Sequence, residues 1–185
     1  MRPWRRMDVV RNGLKIWTIG HSTRTLDEFL GLLRAHGIAA VADVRRFPAS
    51  RRYPHFNEGE LSRSLAGAGV EYVPMPELGG RRKTRPDSHN TSWRNESFRG
   101  YADYMETPQF REGMVRLLSL AERKRTAILC SEAVWWRCHR ALISDDLKAA
   151  GVVVEHIVGP NSSDIHPYTS AAHIVDGRLS YAPVD

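Results

Sequence analysis

Cysteine is scarce in this sequence: of 185 residues only Cys130 and Cys138 are cysteines. That excludes a fold stapled by disulfides and makes a reducing cytoplasm the expected setting. No apolar run approaches the roughly 20 residues that a bilayer crossing needs, so no membrane partner is expected. The opening residues Met1 to Asp8 carry arginines with no apolar stretch behind them, so secretion is not expected either. Internal repeats, low-complexity tracts and paired Cys-x-x-Cys spacings are absent, which removes repeat architectures and the strongest zinc signature. What is there is an ordinary globular composition, 42% hydrophobic, long enough for one domain with a real core. Lysine and arginine number 27 against 21 acidic residues, a net charge of +6. That balance favours anionic partners, small phosphorylated molecules or nucleic acid.

Residues 1–14 show no period and read as a mobile tail ahead of a single domain over residues 15–185. Lys15 to Gly20 reads as a first strand. Thr25 with Glu28 three residues on is a capping box opening a helix, whose apolar face is Leu26, Phe29, Leu30 and Leu33 and whose stop is Gly37. Ile38 to Val44 reads as a buried strand. Asn57 is placed to cap a helix over Glu58 to Ala68, and Val70 to Val73 forms the next strand. A long segment interrupted by proline and glycine, Pro74 to Ser97, has the length usual for a functional loop. Helices follow from Phe98 to Met105 and, capped by Thr107 with Pro108 behind it, to Arg123. Thr126 to Cys130 is a strand, Arg137 to Ala150 a helix, and Val152 to Val158 a β-branched strand. Asp176-Gly177 turns a small C-terminal hairpin. The alternation predicts an α/β fold: an open, mainly parallel sheet of about five strands with helices on both faces.

In such sheets ligands bind beyond the carboxyl ends of the strands. The polar residues just past those ends are Gly20-His21-Ser22, Asp43 to Arg45, and Cys130 to Glu132, and topology predicts that they meet at one rim. Cys130 sits where a strand faces a helix start, whose partial positive charge favours a thiolate. It is the candidate nucleophile, and a buried thiol packed as a small hydrophobe is the alternative. No glycine lies between Cys130 and Arg137, so a tight phosphate cradle around the sulfur is not expected. Glu132 and Asp43 are candidates for acid–base work, with His21 beside them. Either carboxylate can instead orient neighbouring arginines.

Cys130, Cys138 and His139, with His21 or His55, could form a soft zinc or iron site. Adjacent helical positions project about 100° apart, so Cys138 and His139 cannot easily face one centre unless the helix is just starting there. Packing is therefore the favoured role for Cys138, and no metal or cofactor is assigned. Basic and aromatic residues interleave in Arg45-Arg46-Phe47, Arg51 to Phe56, Arg81-Arg82-Lys83 and Trp93-Arg94. Cations track phosphates while aromatic faces stack bases. On that pattern Arg45, Arg52, Arg94 and Arg137 hold phosphates and Trp93, Tyr101 or Trp136 stacks a base. Ser22, Asn57 and Arg140 complete the candidate binding set.

Several of these segments together resemble the family named domain of unknown function 488. They are Thr18-Ile-Gly-His-Ser22, Asp43-Val-Arg-Arg-Phe-Pro48, Ser50-Arg-Arg52 with Phe56-Asn57, and Pro76-Glu-Leu-Gly-Gly-Arg81. Trp93-Arg94 with Phe98 to Tyr104, Cys130-Ser-Glu132 and Trp136-Arg-Cys-His-Arg140 continue the pattern, which covers roughly residues 15–158. Members commonly carry proline where this chain has Trp135. The resemblance implies the fold and the choice of site residues and names no activity. The residues themselves suggest an enzyme acting on a nucleotide or nucleic acid. The alternative is a non-enzymatic module that binds nucleic acid or a metal.

Overall fold

A computed structural model describes residues 13–184, so most of the expected tail lies outside the described residues. The sheet has six strands: β1 (Lys15–Gly20), β2 (Ala40–Asp43), β3 (Glu71–Pro74), β4 (Thr126–Cys130), β5 (Val153–Gly159) and β6 (Ser162–Ile165). Their order is β3-β2-β4-β1-β5-β6. All neighbours are parallel except the β5–β6 edge pair. The sixth strand is the one the sequence does not announce. Ser162–Ile165 is mostly exposed and polar, and it is held by ladder bonds to β5 without an apolar face. A separate hairpin, β7 (His173–Val175) and β8 (Arg178–Ser180), turns at Asp176-Gly177 with positive φ at both residues, as expected for such a turn.

Alternate residues of each strand feed two cores. Trp17, Ile19, Val41, Ala127 and Leu129 face α1 (Leu26–Ala35) and α2 (Glu58–Gly67). Ile16, Ala40, Ala42, Ile128 and Cys130 face α3 (Glu96–Met105), α4 (Pro108–Arg123) and α5 (Arg140–Ala149). Both faces of the central strands are therefore dry, which is why β2 and β4 are almost wholly apolar. The Thr25 capping box forms on both sides, and Gly37 ends α1 with φ of 64°. Among the described residues no helix is long and apolar enough to cross a membrane.

Two local expectations change. Asn57 has the extended backbone of a helix cap, but its side chain turns back to accept from the Ser50 N–H at 2.6 Å, tying the preceding loop instead. The last crossover helix begins at Arg140, not Arg137. A 3-10 turn over Trp135–Arg137 comes first, and Cys138 behind it is extended, with φ −131° and ψ 149°. Cys138 and His139 thus precede the helix and escape its angular rule.

Candidate functional site: a cationic cleft floored by two thiols and an imidazole

β1 and β4 lie side by side with Gly20 opposite Cys130. The chain leaves β1 through α1 on one face and leaves β4 through α5 on the other, so the sheet's switch point falls between them. The predicted rim forms there. His21 N–H donates to the Cys130 carbonyl at 3.0 Å, Ser22 N–H to the Ser131 carbonyl at 2.9 Å, and Val44 N–H to the Leu129 carbonyl at 3.0 Å. Gly20 is required by this approach, because a Cβ would stand 1.7 Å from the Glu132 carbonyl oxygen.

Beyond the rim opens a cleft of about 690 Å³. Among the described residues Arg45, Arg46, Arg52, Arg81 and Arg137 line it against a single carboxylate, Glu132. Only Arg45 among these five is ion-paired among the described residues, with Asp43 at 2.6 Å. Of the three non-glycine residues with positive φ among the described residues, two, Ser22 and Arg81, also line it. Such backbone conformations collect at functional sites because surrounding structure must hold them. Phe47 is 63% exposed between Arg46 and Arg81, whose guanidiniums lie 5.4 and 5.9 Å from its ring.

Asp43 does not line the cleft. Its carboxylate is buried and accepts from Arg45 Nε at 2.9 Å, Arg45 Nη2 at 2.6 Å, the Arg45 N–H at 3.1 Å and Tyr72 O–H at 2.6 Å. Arg45 also donates to the Phe56 carbonyl at 2.8 Å, so it is a fixed guanidinium at the cleft wall. His21 is stacked on Phe56, and its Nδ1–H donates to the Ser22 carbonyl at 2.9 Å, leaving Nε2 as an acceptor. Burial, partly opposed by that hydrogen bond and reinforced by Arg45, pulls the imidazole down to about 4.

Cys130 and Cys138 are both free and buried at the floor of the cleft. The adjoining Cys138 sulfur, together with burial, pushes the Cys130 thiol up. Burial opposes ionisation of Cys138 too, but the Cys130 thiol beside it and Arg140 overcome it and draw Cys138 down. Of the two thiols Cys138, for which the sequence favours packing, is therefore the one that ionises more readily. His139 stands next to it, with Nδ1 at 3.7 Å from Cys138 Sγ and Nε2–H donating to the Val44 carbonyl at 3.2 Å. Gly80 covers that imidazole closely, since a Cβ there would lie 3.0 Å from Nδ1.

Arg140 is 1% exposed and reaches beneath the loop. It donates to the Glu132 carbonyl at 2.5 Å and to Thr18 Oγ1 at 3.3 Å, and its backbone N–H meets Cys138 Sγ at 3.5 Å. No carboxylate pairs with it among the described residues, and its Nε has no partner. Trp135, in the position where family members commonly carry proline, lies flat on His156 at 4.3 Å.

The other expected residues divide. His21, Ser22, Arg45, Arg52, Tyr101, Cys130, Glu132 and Arg137 line the cleft. Tyr101 is nearly inaccessible and donates to the Leu78 carbonyl at 2.6 Å, so it forms the floor. Trp93 packs against Phe98 and Tyr181, and neither it, Arg94 nor Asn57 reaches the cleft. Trp136 is 55% exposed outside the lining set. Arg46, Phe47, Arg81 and Phe98 were absent from the expected site. The basic–aromatic runs carry the signal for Arg46, Phe47 and Arg81, and Phe98 lies in a segment that carries the family resemblance.

No curated protein and no solved structure matches this chain. A family model described as "Domain of unknown function DUF488" matches residues 25–147, which include β2, β4, the Cys130–Arg140 loop and most of α5, and the chain belongs to that family.

Proposed function

We propose that the protein is an enzyme of a reducing cytoplasm whose cleft takes a phosphate-bearing substrate, a nucleotide or a stretch of nucleic acid. The observation that carries this reading is the imbalance of charge: five arginines against one carboxylate around one cleft, four of those arginines without an ion-pair partner among the described residues. Guanidiniums held so close together without counterions repel one another, and a dianionic ligand relieves that repulsion. Arg52, Arg81 and Arg137 hold the phosphate, Arg45 supplies a fixed charge at the wall, and Phe47 or Phe98 offers a face to a base. Glu132, the only carboxylate lining the cleft among the described residues, is the group able to move a proton beside the bound ligand.

The test is a titration of nucleoside mono- and diphosphates, inorganic pyrophosphate and short single-stranded DNA, followed by calorimetry at two salt concentrations. Binding should weaken with salt, and the salt slope should fall by roughly one unit with each of Arg52→Ala, Arg81→Ala and Arg137→Ala. Affinity that survives the triple replacement, or no binding by any phosphate-bearing probe, overturns the reading. Turnover is tested separately with Glu132→Gln, which should keep binding and lose product formation.

A further inference from the structure

The cleft floor carries a second arrangement that anion binding does not need. Cys130 arrives from the end of β4 and Cys138 from the extended step before α5, so rigid elements place the two sulfurs independently. With His139 they form a group whose ligand atoms all lie within 4.8 Å of one another. We propose that Cys130, Cys138 and His139 bind one thiophilic divalent ion, zinc or ferrous iron, leaving a fourth coordination position open to the cleft.

The Cys138–His139 geometry agrees with this. Metal–sulfur bonds of about 2.3 Å and metal–nitrogen bonds of about 2.0–2.1 Å in a tetrahedral centre put ligand atoms about 3.6–3.8 Å apart. Cys138 Sγ and His139 Nδ1 stand 3.7 Å apart. The imidazole is already oriented as a ligand, because its Nε2–H is committed to the Val44 carbonyl and Nδ1 presents its lone pair toward the sulfurs. Metal-ligating histidines are commonly fixed in this way, by a carbonyl on the other ring nitrogen. The Arg140 N–H directed at Cys138 Sγ is a donor suited to a ligating thiolate, and the unpaired Arg140 guanidinium behind it favours negative charge on the sulfurs. Three protein ligands at the edge of an open cleft match the donor count of a site that acts on its ligand, whereas a purely structural site closes its fourth position with protein. The ion would polarise an oxygen of whatever occupies the cleft. The inference stands on these three side chains and does not depend on the phosphate reading.

The experiment titrates reduced, chelator-stripped full-length protein with cobalt(II) without oxygen. The expected result is uptake of about one equivalent per chain, with sulfur-to-cobalt charge-transfer absorption and the visible bands of a tetrahedral centre. Cys130→Ser and Cys138→Ser should each reduce the charge-transfer intensity. They should weaken uptake by more than the roughly 10–100-fold that losing an outer partner costs. His139→Ala should keep sulfur bands at lower affinity. Wild-type protein that takes up no cobalt, or takes it up without sulfur bands, overturns the proposal. So does unchanged uptake by a folded Cys130→Ser, Cys138→Ser double variant. Phosphate-ligand binding measured on the metal-free protein reports separately on the cleft, so either reading can fail alone.

Discussion

Replacing Asp43 by asparagine is the sharpest probe of how the cleft wall is built. The carboxylate accepts four hydrogen bonds, three from Arg45 and one from Tyr72, in a site where the Arg45 and Asp43 side chains are 7% and 1% exposed. Asparagine keeps one acceptor oxygen and turns the other into a donor facing the donors that Asp43 had satisfied. Removing one partner of a buried pair leaves an uncompensated charge and costs about 3–5 kcal/mol. Loss of two charge-assisted bonds at about 1.5–3 kcal/mol each gives the same range. For a domain of this size each kcal/mol moves the midpoint by about 2–4 °C, so Asp43→Asn should unfold about 6–20 °C lower. Circular dichroism at neutral pH reads this directly. Arg45→Met should also destabilise, because it strands the carboxylate. The double variant should lose less than the sum of the singles, since neither charge is then left alone. A midpoint within about 2 °C of wild type for Asp43→Asn, or strict additivity in the cycle, would refute the idea that Asp43 acts through Arg45.

Three further outcomes rest on the same geometry. Gly20→Ala should cost at least about 1–3 kcal/mol and weaken ligand binding, because its Cβ must displace the Glu132 carbonyl; a variant with wild-type Tm and affinity counts against that contact. His156 is pushed down to about 2, chiefly by burial, with the nearby Arg140 charge adding to it. The unfolded chain binds a proton near pH 6.5 that the folded chain refuses, so stability is full above that pH and falls below it, by about 2 kcal/mol at pH 5. Denaturant unfolding of His156→Gln should show a shallower acid loss, and an unchanged slope would remove His156 as the cause. Phe47→Ala should lower affinity for nucleotides while leaving pyrophosphate binding nearly unchanged, since only a base uses the exposed ring; equal losses for both probes would exclude stacking on Phe47.

The layout of the fold was legible because its signals are local and agree with one another. Thr25 with Glu28, Thr107 with Pro108 and Asp176-Gly177 mark boundaries that the backbone respects. The apolar runs of β1, β2 and β4 announce strands buried on both faces. The meeting of His21, Arg45 and Cys130 could be inferred because parallel topology places strand ends together. What failed was finer. β6 has no apolar pattern to betray it, and the residues from Val134 to His139 have no periodicity from which a 3-10 turn could be told from the first turn of α5. That slip of three residues changed the chemistry, because a helical Cys138 cannot share a centre with His139 and an extended one can.

The least legible part of the site is the support under Arg140, because its members come from several elements far apart in the sequence. A guanidinium can only donate, so its bond to Thr18 Oγ1 leaves the buried Thr18 hydroxyl proton to seek an acceptor at His156 Nδ1, 2.7 Å away. His156 must then donate from Nε2 to His166 Nδ1 at 2.9 Å, and His166 from Nε2 to Asp145 at 2.9 Å. Asp145 also accepts from Thr169 and from Tyr181, so its carboxylate is already fully engaged by donors other than Arg140. The chain thus runs in one direction and ends on an anion remote from the cation at its head. The Arg140 guanidinium is left with neutral oxygens, while the backbone N–H of the same residue meets the Cys138 sulfur. A buried cation so placed makes negative charge on that sulfur the natural complement. The electrostatic setting of the cleft floor is therefore fixed by β1, β5, α5 and the segment after β6, and the motif that holds the thiols cannot by itself reveal it.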